Sequence, residues 1–133
     1  MTKQKYSDVF PCDAPVEIIY KTLGIEMDAG PVKFSVPAQR HASDRHPDDF
    51  PIIIPHLGQI LTSPLYLGDD FKNPGKIELV GRIWGVGGAA LVSLTVAKNV
   101  RDGCYHVAST YLITQAELDK KLQKQVLKVA RTS

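Results

Sequence analysis

The chain has 133 residues, 44% of them hydrophobic and 23% charged, with a formal net charge of +2 at pH 7. These values fit one soluble globular domain that buries its own core, and they exclude a strongly basic nucleic-acid coat. No apolar run approaches the roughly 20 residues of a membrane-spanning helix, and Met1 to Asp8 lacks the apolar stretch of a secretory signal. No membrane partner is therefore expected, and the expected site of action is the cytoplasm. A piece of a larger phage or secreted protein delivered there would leave the same pattern.

Asp13, Pro15 and Gly24 frame a helix over 14–23 with Val16, Ile19, Tyr20 and Leu23 as its apolar stripe. Pro31 to Val36 alternates in the manner of a short strand. Pro37 opens a second helix to about Arg45, which Pro47 ends by disfavouring helical geometry at His46. A turn over 48–51 precedes a third helix over 55–61, with Ile54, Leu57, Ile60 and Leu61 toward the core. A brief strand at 65–67 and a turn-rich loop over 68–75 follow.

The second half changes character. The runs 76–84, 90–98 and 104–113 have strand length and composition, and their short connections predict an antiparallel meander. Thr114 and Glu117 match a capping box, opening a C-terminal helix with Leu118, Leu122, Val126 and Val129 as its buried stripe. The layout is α+β: N-terminal helices packed on a small antiparallel sheet, a meander of three to four strands, with a C-terminal helix. One domain over 1–133 is expected, with an N-terminal extension to residue 36, a core over 37–125 and a tail over 126–133. Cys12 and Cys104 show no CxxC spacing and are expected as reduced thiols. Lys120, Lys121, Lys124, Lys128 and Arg131 outnumber Glu117 and Asp119 near the C-terminus; such a positive face can attract a polyanion, and the plainer reading, a solvated helix face, is preferred.

The segment His41-Ala-Ser-Asp-Arg45-His46-Pro47 concentrates proton-transferring imidazoles beside guanidinium groups. In a continuous helix His41 and Arg45 share a face and His46 points about 140° away. The two rings converge only if His46 leaves the helix, as Pro47 favours. In the last strand, alternation puts Tyr105, Val107, Ser109 and Tyr111 on one face and His106, Ala108, Thr110 and Leu112 on the other. The first face can stack a base and hold a phosphate oxygen, or its tyrosines can be ordinary cross-strand aromatics. A zinc site from His41, His46, His106 and Cys104 matches no ligand spacing. Gly85 to Gly88 leads into a strand rather than a helix, unlike a phosphate loop. Ser43 and His46 lack an orienting acid.

The succession H-x4-H-P-x-D-F, L-x-x-I-L-x-x-P-x-Y-L-G, I-E-L-V, L-V-S-L-T-V and Y-H-V-A-S-T-Y-x-I-T, from His41 to Thr114, resembles the phage-associated nuclease domains of the barnase–EndoU–colicin–RelE class. The resemblance implies a compact α+β ribonuclease fold, toxin activity against RNA, no metal or other cofactor, and a cognate immunity or antitoxin protein. It implies that His41 and His46 are the helix-borne catalytic histidines and that Ser109 and Tyr111 are the hydroxyl residues of the last strand. Arg45 takes the place of a common basic residue, and Lys98 or Glu78 that of a lysine or glutamate on the sheet. The expected chemistry is attack of the ribose 2′-OH on its own 3′-phosphate, giving a 2′,3′-cyclic phosphate. In it Arg45 or Lys98 meets the phosphorane charge, Ser109 orients an oxygen, and Tyr111 or Tyr105 stacks on a base. The alternative is a non-catalytic RNA- or protein-binding domain of the same fold.

Overall fold

The computed structural model describes residues 6–70 and 72–132. The first five positions of the expected N-terminal extension, position 71 of the expected loop and position 133 of the expected tail lie outside the described residues. The fold is α+β. In chain order its elements are α1 (Val16–Leu23), β1 (Val32–Lys33), α2 (Val36–Arg45), α3 (Phe50–Ile53), a 3-10 turn (Ile54–His56), α4 (Leu57–Thr62), β2 (Tyr66–Asp69), β3 (Lys76–Gly81), β4 (Ala89–Thr95), β5 (Tyr105–Ile113), α5 (Gln115–Gln123) and β6 (Leu127–Val129). The strands form one six-stranded sheet in the order β1-β5-β4-β3-β2-β6. β2 through β5 form the expected antiparallel meander, but β1 joins it in parallel beside β5 and β6 extends it beside β2. The sheet is thus mixed and wider than the three to four strands expected.

Both faces of the sheet are covered, which explains why β3 and β4 read as nearly unbroken apolar runs. Ile77, Leu79, Ala90, Val92 and Leu94 pack with Ile19 of α1, Ala42 of α2, Ile53 of α3 and Leu57, Ile60 and Leu61 of α4. On the other face Val80, Ala89, Leu91 and Ile113 pack with Leu118 of α5 and Leu127 of β6. Each of the valine, leucine and isoleucine side chains among these contributes about 1.5–3 kcal/mol by leaving water.

α1 starts later than expected and without a side-chain cap, and it ends at Gly24 in the left-handed region. Asp13 is not its cap, because residues 12–14 are extended and pair with 30–32: the Ala14 N–H donates to Gly30 O and the Val32 N–H to Cys12 O, each at 2.9 Å. The third helix begins earlier than the expected turn allows, since Phe50 and Pro51 already form α3 and the 3-10 turn joins it to α4. Proline at the start of a helix loses no hydrogen bond, so Pro51 and Pro55 both fit this stepped path. Cys12 and Cys104 are free.

The largest difference lies at the C-terminus. The capping box of Thr114 and Glu117 is present, but α5 stops at Gln123. Gln125 takes a positive φ of 59°, reversing the chain into β6. Val126 and Val129 therefore do not continue the helix stripe, and Val129 is 69% exposed on an edge strand. β2 supplied an unpaired edge for this strand. Gly68 lets it approach, because a Cβ there would sit 1.9 Å from Val126 O. The expected tail thus contains a sheet strand. No helix among the described residues is long and apolar enough to cross a membrane.

Candidate active site

α2 is a polar helix held by few inward contacts. Ser35 caps it by accepting from the Ala38 N–H at 3.3 Å. Inside, Ala42 is buried, and Gln39 donates from Nε2 to Ser7 O at 2.6 Å and Phe34 O at 2.9 Å. Those inward positions leave His41 and Arg45 exposed. His46 closes the helix, its N–H donating to Ala42 O at 2.9 Å, and then departs from helical geometry at φ −137°. Pro47 is the physical cause.

β5 contains a bulge that the alternating pattern does not reveal. Ser93 pairs with Ser109 while its neighbour Leu94 pairs with Val107, which leaves Ala108 as the extra residue. An extra residue reverses the faces beyond it. Tyr105 and Val107 consequently pack with the core under α1–α4, together with Leu112, whereas Tyr111 and Ile113 join the cluster under α5. The single face of Tyr105, Val107, Ser109 and Tyr111 does not exist.

The C-terminal half of β5 forms one wall of a cavity of about 210 Å³ whose lining includes His41, Arg45, His46, Ser109 and Tyr111. His46 stacks on the Tyr111 ring, centroids 5.0 Å apart and planes at 25°. Asp49 fixes this corner. Its Oδ2 accepts from the Leu112 N–H of β5 at 3.0 Å and lies 3.8 Å from His46 Nδ1. That separation exceeds a hydrogen bond but suits attraction to a protonated imidazole. Sequence reasoning missed Asp49 as the group linking His46 to β5, although it lies within the quoted H-x4-H-P-x-D-F stretch.

Ser109 and Tyr111 also line a second cavity of about 520 Å³ on the α5 side, with Glu78, Ser93, Lys120, Lys121 and Lys124. The register puts Glu78, Ser93 and Ser109 in one row across β3, β4 and β5. A polar row through a buried sheet face needs partners. Lys121 supplies one, its Nζ donating to Glu78 Oε1 at 3.1 Å. The signal for this row was legible as Glu within I-E-L-V and Ser within L-V-S-L. Burial, then Glu78, Asp70 and Glu117, raise the Tyr111 phenol above its ordinary value, so it stays a neutral donor. Lys120, Lys121 and Lys124 line this cavity, Lys120 and Lys124 remaining exposed, whereas Lys128 lies on β6 and not on the expected helix face.

Two expected site residues lie elsewhere. Tyr105 is 2% exposed, and its hydroxyl donates to Asp28 O at 2.7 Å, so its ring offers no face to a base. Lys98 lies beyond the end of β4, its Nζ 5.9 Å from the Tyr105 ring centroid, in a different cavity with Glu17, Glu26 and Asp28. Strand β4 ends before Lys98 and the bulge turns Tyr105 inward, which separates both from the histidines. His106 is bound at the strand's beginning: its Nε2 lies 2.8 Å from Asp102 Oδ2, which also accepts from Lys33 Nζ at 3.2 Å. Among the described residues no group of three or more His, Cys, Asp or Glu side chains is arranged to hold a metal ion. No family model, curated protein or solved structure matches the chain.

Proposed function

We propose that this chain is a metal-independent endoribonuclease of toxin type, carried on the phage-associated nuclease fold of the barnase–EndoU–colicin–RelE class and acting on RNA in the cytoplasm. The observation that carries this reading is the single cavity lined by His41, His46, Arg45, Ser109 and Tyr111. Two imidazoles can serve as base and acid in transesterification of a phosphodiester, a guanidinium can meet the phosphorane charge, and two hydroxyls can donate to its oxygens.

One imidazole removes the proton of the ribose 2′-OH, and the O2′–P bond forms. The other protonates the departing 5′-oxygen as the P–O5′ bond breaks. Arg45 meets the added charge on the phosphorane with its fixed fork of donors. Ser109 donates to a non-bridging oxygen, and the neutral Tyr111 phenol supplies a further donor. The His46–Tyr111 stack and the Asp49 carboxylate limit the imidazole's rotation, which lowers the entropy lost on reaching the reactive geometry. Lys98 and Tyr105 have no part in this mechanism. A toxin of this kind entails an acidic immunity or antitoxin protein that covers the histidines.

The exposed position of His41 favours a second reading, an RNA- or protein-binding domain of the same fold without catalysis. Incubating the protein with total RNA in excess chelator separates the two. The expected result is cleavage that leaves 2′,3′-cyclic phosphate and 5′-hydroxyl ends. The double variant His41→Ala/His46→Ala should slow it by about 10²–10⁴-fold or more. RNA left intact by the parent protein supports the binding domain, and cutting of an oligonucleotide with deoxyribose at the cleavage position overturns the mechanism.

A further inference from the structure

The chemistry above uses the smaller cavity and leaves the larger one unassigned. The two share Ser109 and Tyr111, so a strand lying along β5 passes directly from one into the other. The larger cavity's lining carries both signs of charge, but most of its carboxylates are already engaged. Glu78 is paired with Lys121 at 3.1 Å. Glu117 accepts from the Thr114 N–H at 3.1 Å as half of the capping box, which lowers its pKa below the ordinary value. Asp70 accepts from Asn73 Nδ2 at 3.0 Å.

Lys120 and Lys124 differ from these. Lys120 lies in the last turn of α5 and Lys124 is the residue that caps its C-terminus, both exposed and both in the cavity lining. No ion pair among the described residues engages either. Like charges at i, i+4 weaken a helix. The helix dipole favours cations in the last turn but does not require two of them to face one cavity. An anion between them would offset their repulsion.

We infer that Lys120 and Lys124 hold a second phosphodiester of the RNA, one linkage away from the bond cleaved over the histidines. This rests on the ribonuclease reading, because the substrate's regular backbone is what supplies a second phosphate beside the first. Lysine serves such a contact as a point charge that positions the strand without reading its sequence. Beside β2 the lining sets Asp69 and Asp70 against Lys72 alone, which disfavours a phosphate there and leaves the α5 side as its place.

The test compares the parent chain with Lys120→Gln/Lys124→Gln on a short RNA oligonucleotide cut at one bond. The oligonucleotide carries either natural linkages or one uncharged methylphosphonate at each flanking position in turn. The variant should raise KM about tenfold with kcat nearly unchanged, as loss of a charge-assisted contact outside the reacting centre does. One of the neutral linkages should raise the parent's KM similarly and add nothing in the variant. Equal KM for parent and variant, or neutral linkages acting alike in both, overturns the inference. If the parent cuts no RNA, the ribonuclease reading fails by itself, and the subsite is decided by single-stranded RNA binding against salt. A slope reduced by about 0.7 in the variant supports it, and an unchanged slope or no binding overturns it. Relief of the like-charge pair predicts a variant melting temperature no lower than the parent's.

Discussion

Before Ala108, β5 lies between β1 and β4; after it, the strand runs beside α2 with no strand paired to its outer edge among the described residues. Each stretch has a tyrosine and a histidine nearby, and their fates differ. Tyr105 is sealed in the core and His106 is held by Asp102 at 2.8 Å. Tyr111 stands between two cavities, and His46 rests on its ring with a carboxylate 3.8 Å away. Residue type does not decide between a buried place and a place at a cavity wall here. One bulge separates them, by rotating Ser109, Tyr111 and Ile113 to the α5 side.

Deleting Ala108 attacks that distinction directly and should have the largest effect. Strict alternation would return, forcing either Tyr105 and Val107 out of the core or Ser109 and Tyr111 away from the cavities. The expected outcome is a stability loss of about 4 kcal/mol or more in urea unfolding, together with loss of RNA cleavage. A deletion variant that unfolds and cleaves like the parent would show that the two stretches are not set apart by the bulge. A paired substitution sharpens the comparison. Tyr105→Ala should cost about 3–5 kcal/mol while leaving the rate per folded molecule unchanged. Tyr111→Ala should reduce kcat/KM about tenfold at a smaller cost in stability, because it removes the stacking partner of His46.

The smallest effect concerns the beginning of β5. The Cys104 N–H donates to Asp102 Oδ1 at 2.9 Å, and with the His106 and Lys33 contacts this lowers the Asp102 carboxyl to about 2. A carboxyl held below its ordinary value contributes stability at higher pH and loses it on acidification. The Asp102 contribution is therefore complete above about pH 4 and gone as pH falls through about 2. Asp102→Asn should flatten the acid limb of a stability–pH curve over that interval without changing cleavage near neutrality.

Much of this architecture was legible from periodicity. The runs of the meander, the polar helix ending before Pro47 and the Thr114–Glu117 cap all follow from local rules that the tertiary structure respects. The bulge was not legible, since Ala108 carries no mark distinguishing it from an ordinary strand residue, and the misplacement of Tyr105 followed from it. β6 was missed because Leu118, Leu122, Val126 and Val129 keep a helical spacing, whereas a positive φ at Gln125 and the free edge of β2 override it. The departure of His46 from helical geometry was readable from Pro47. The positive charge of Lys120, Lys121 and Lys124 was legible, but the cavity they line was not, because it depends on which sheet face the helix covers, a long-range outcome that no local pattern encodes.

The wall formed by Ser109 and Tyr111 is common to both cavities, so a single ligand could close both. A blocking group lodged against that strip obstructs the histidines and the lysines at once, without needing to fill either recess. An inhibitor could therefore be small in footprint and indifferent to the rest of the surface, provided that one side chain reaches the strip.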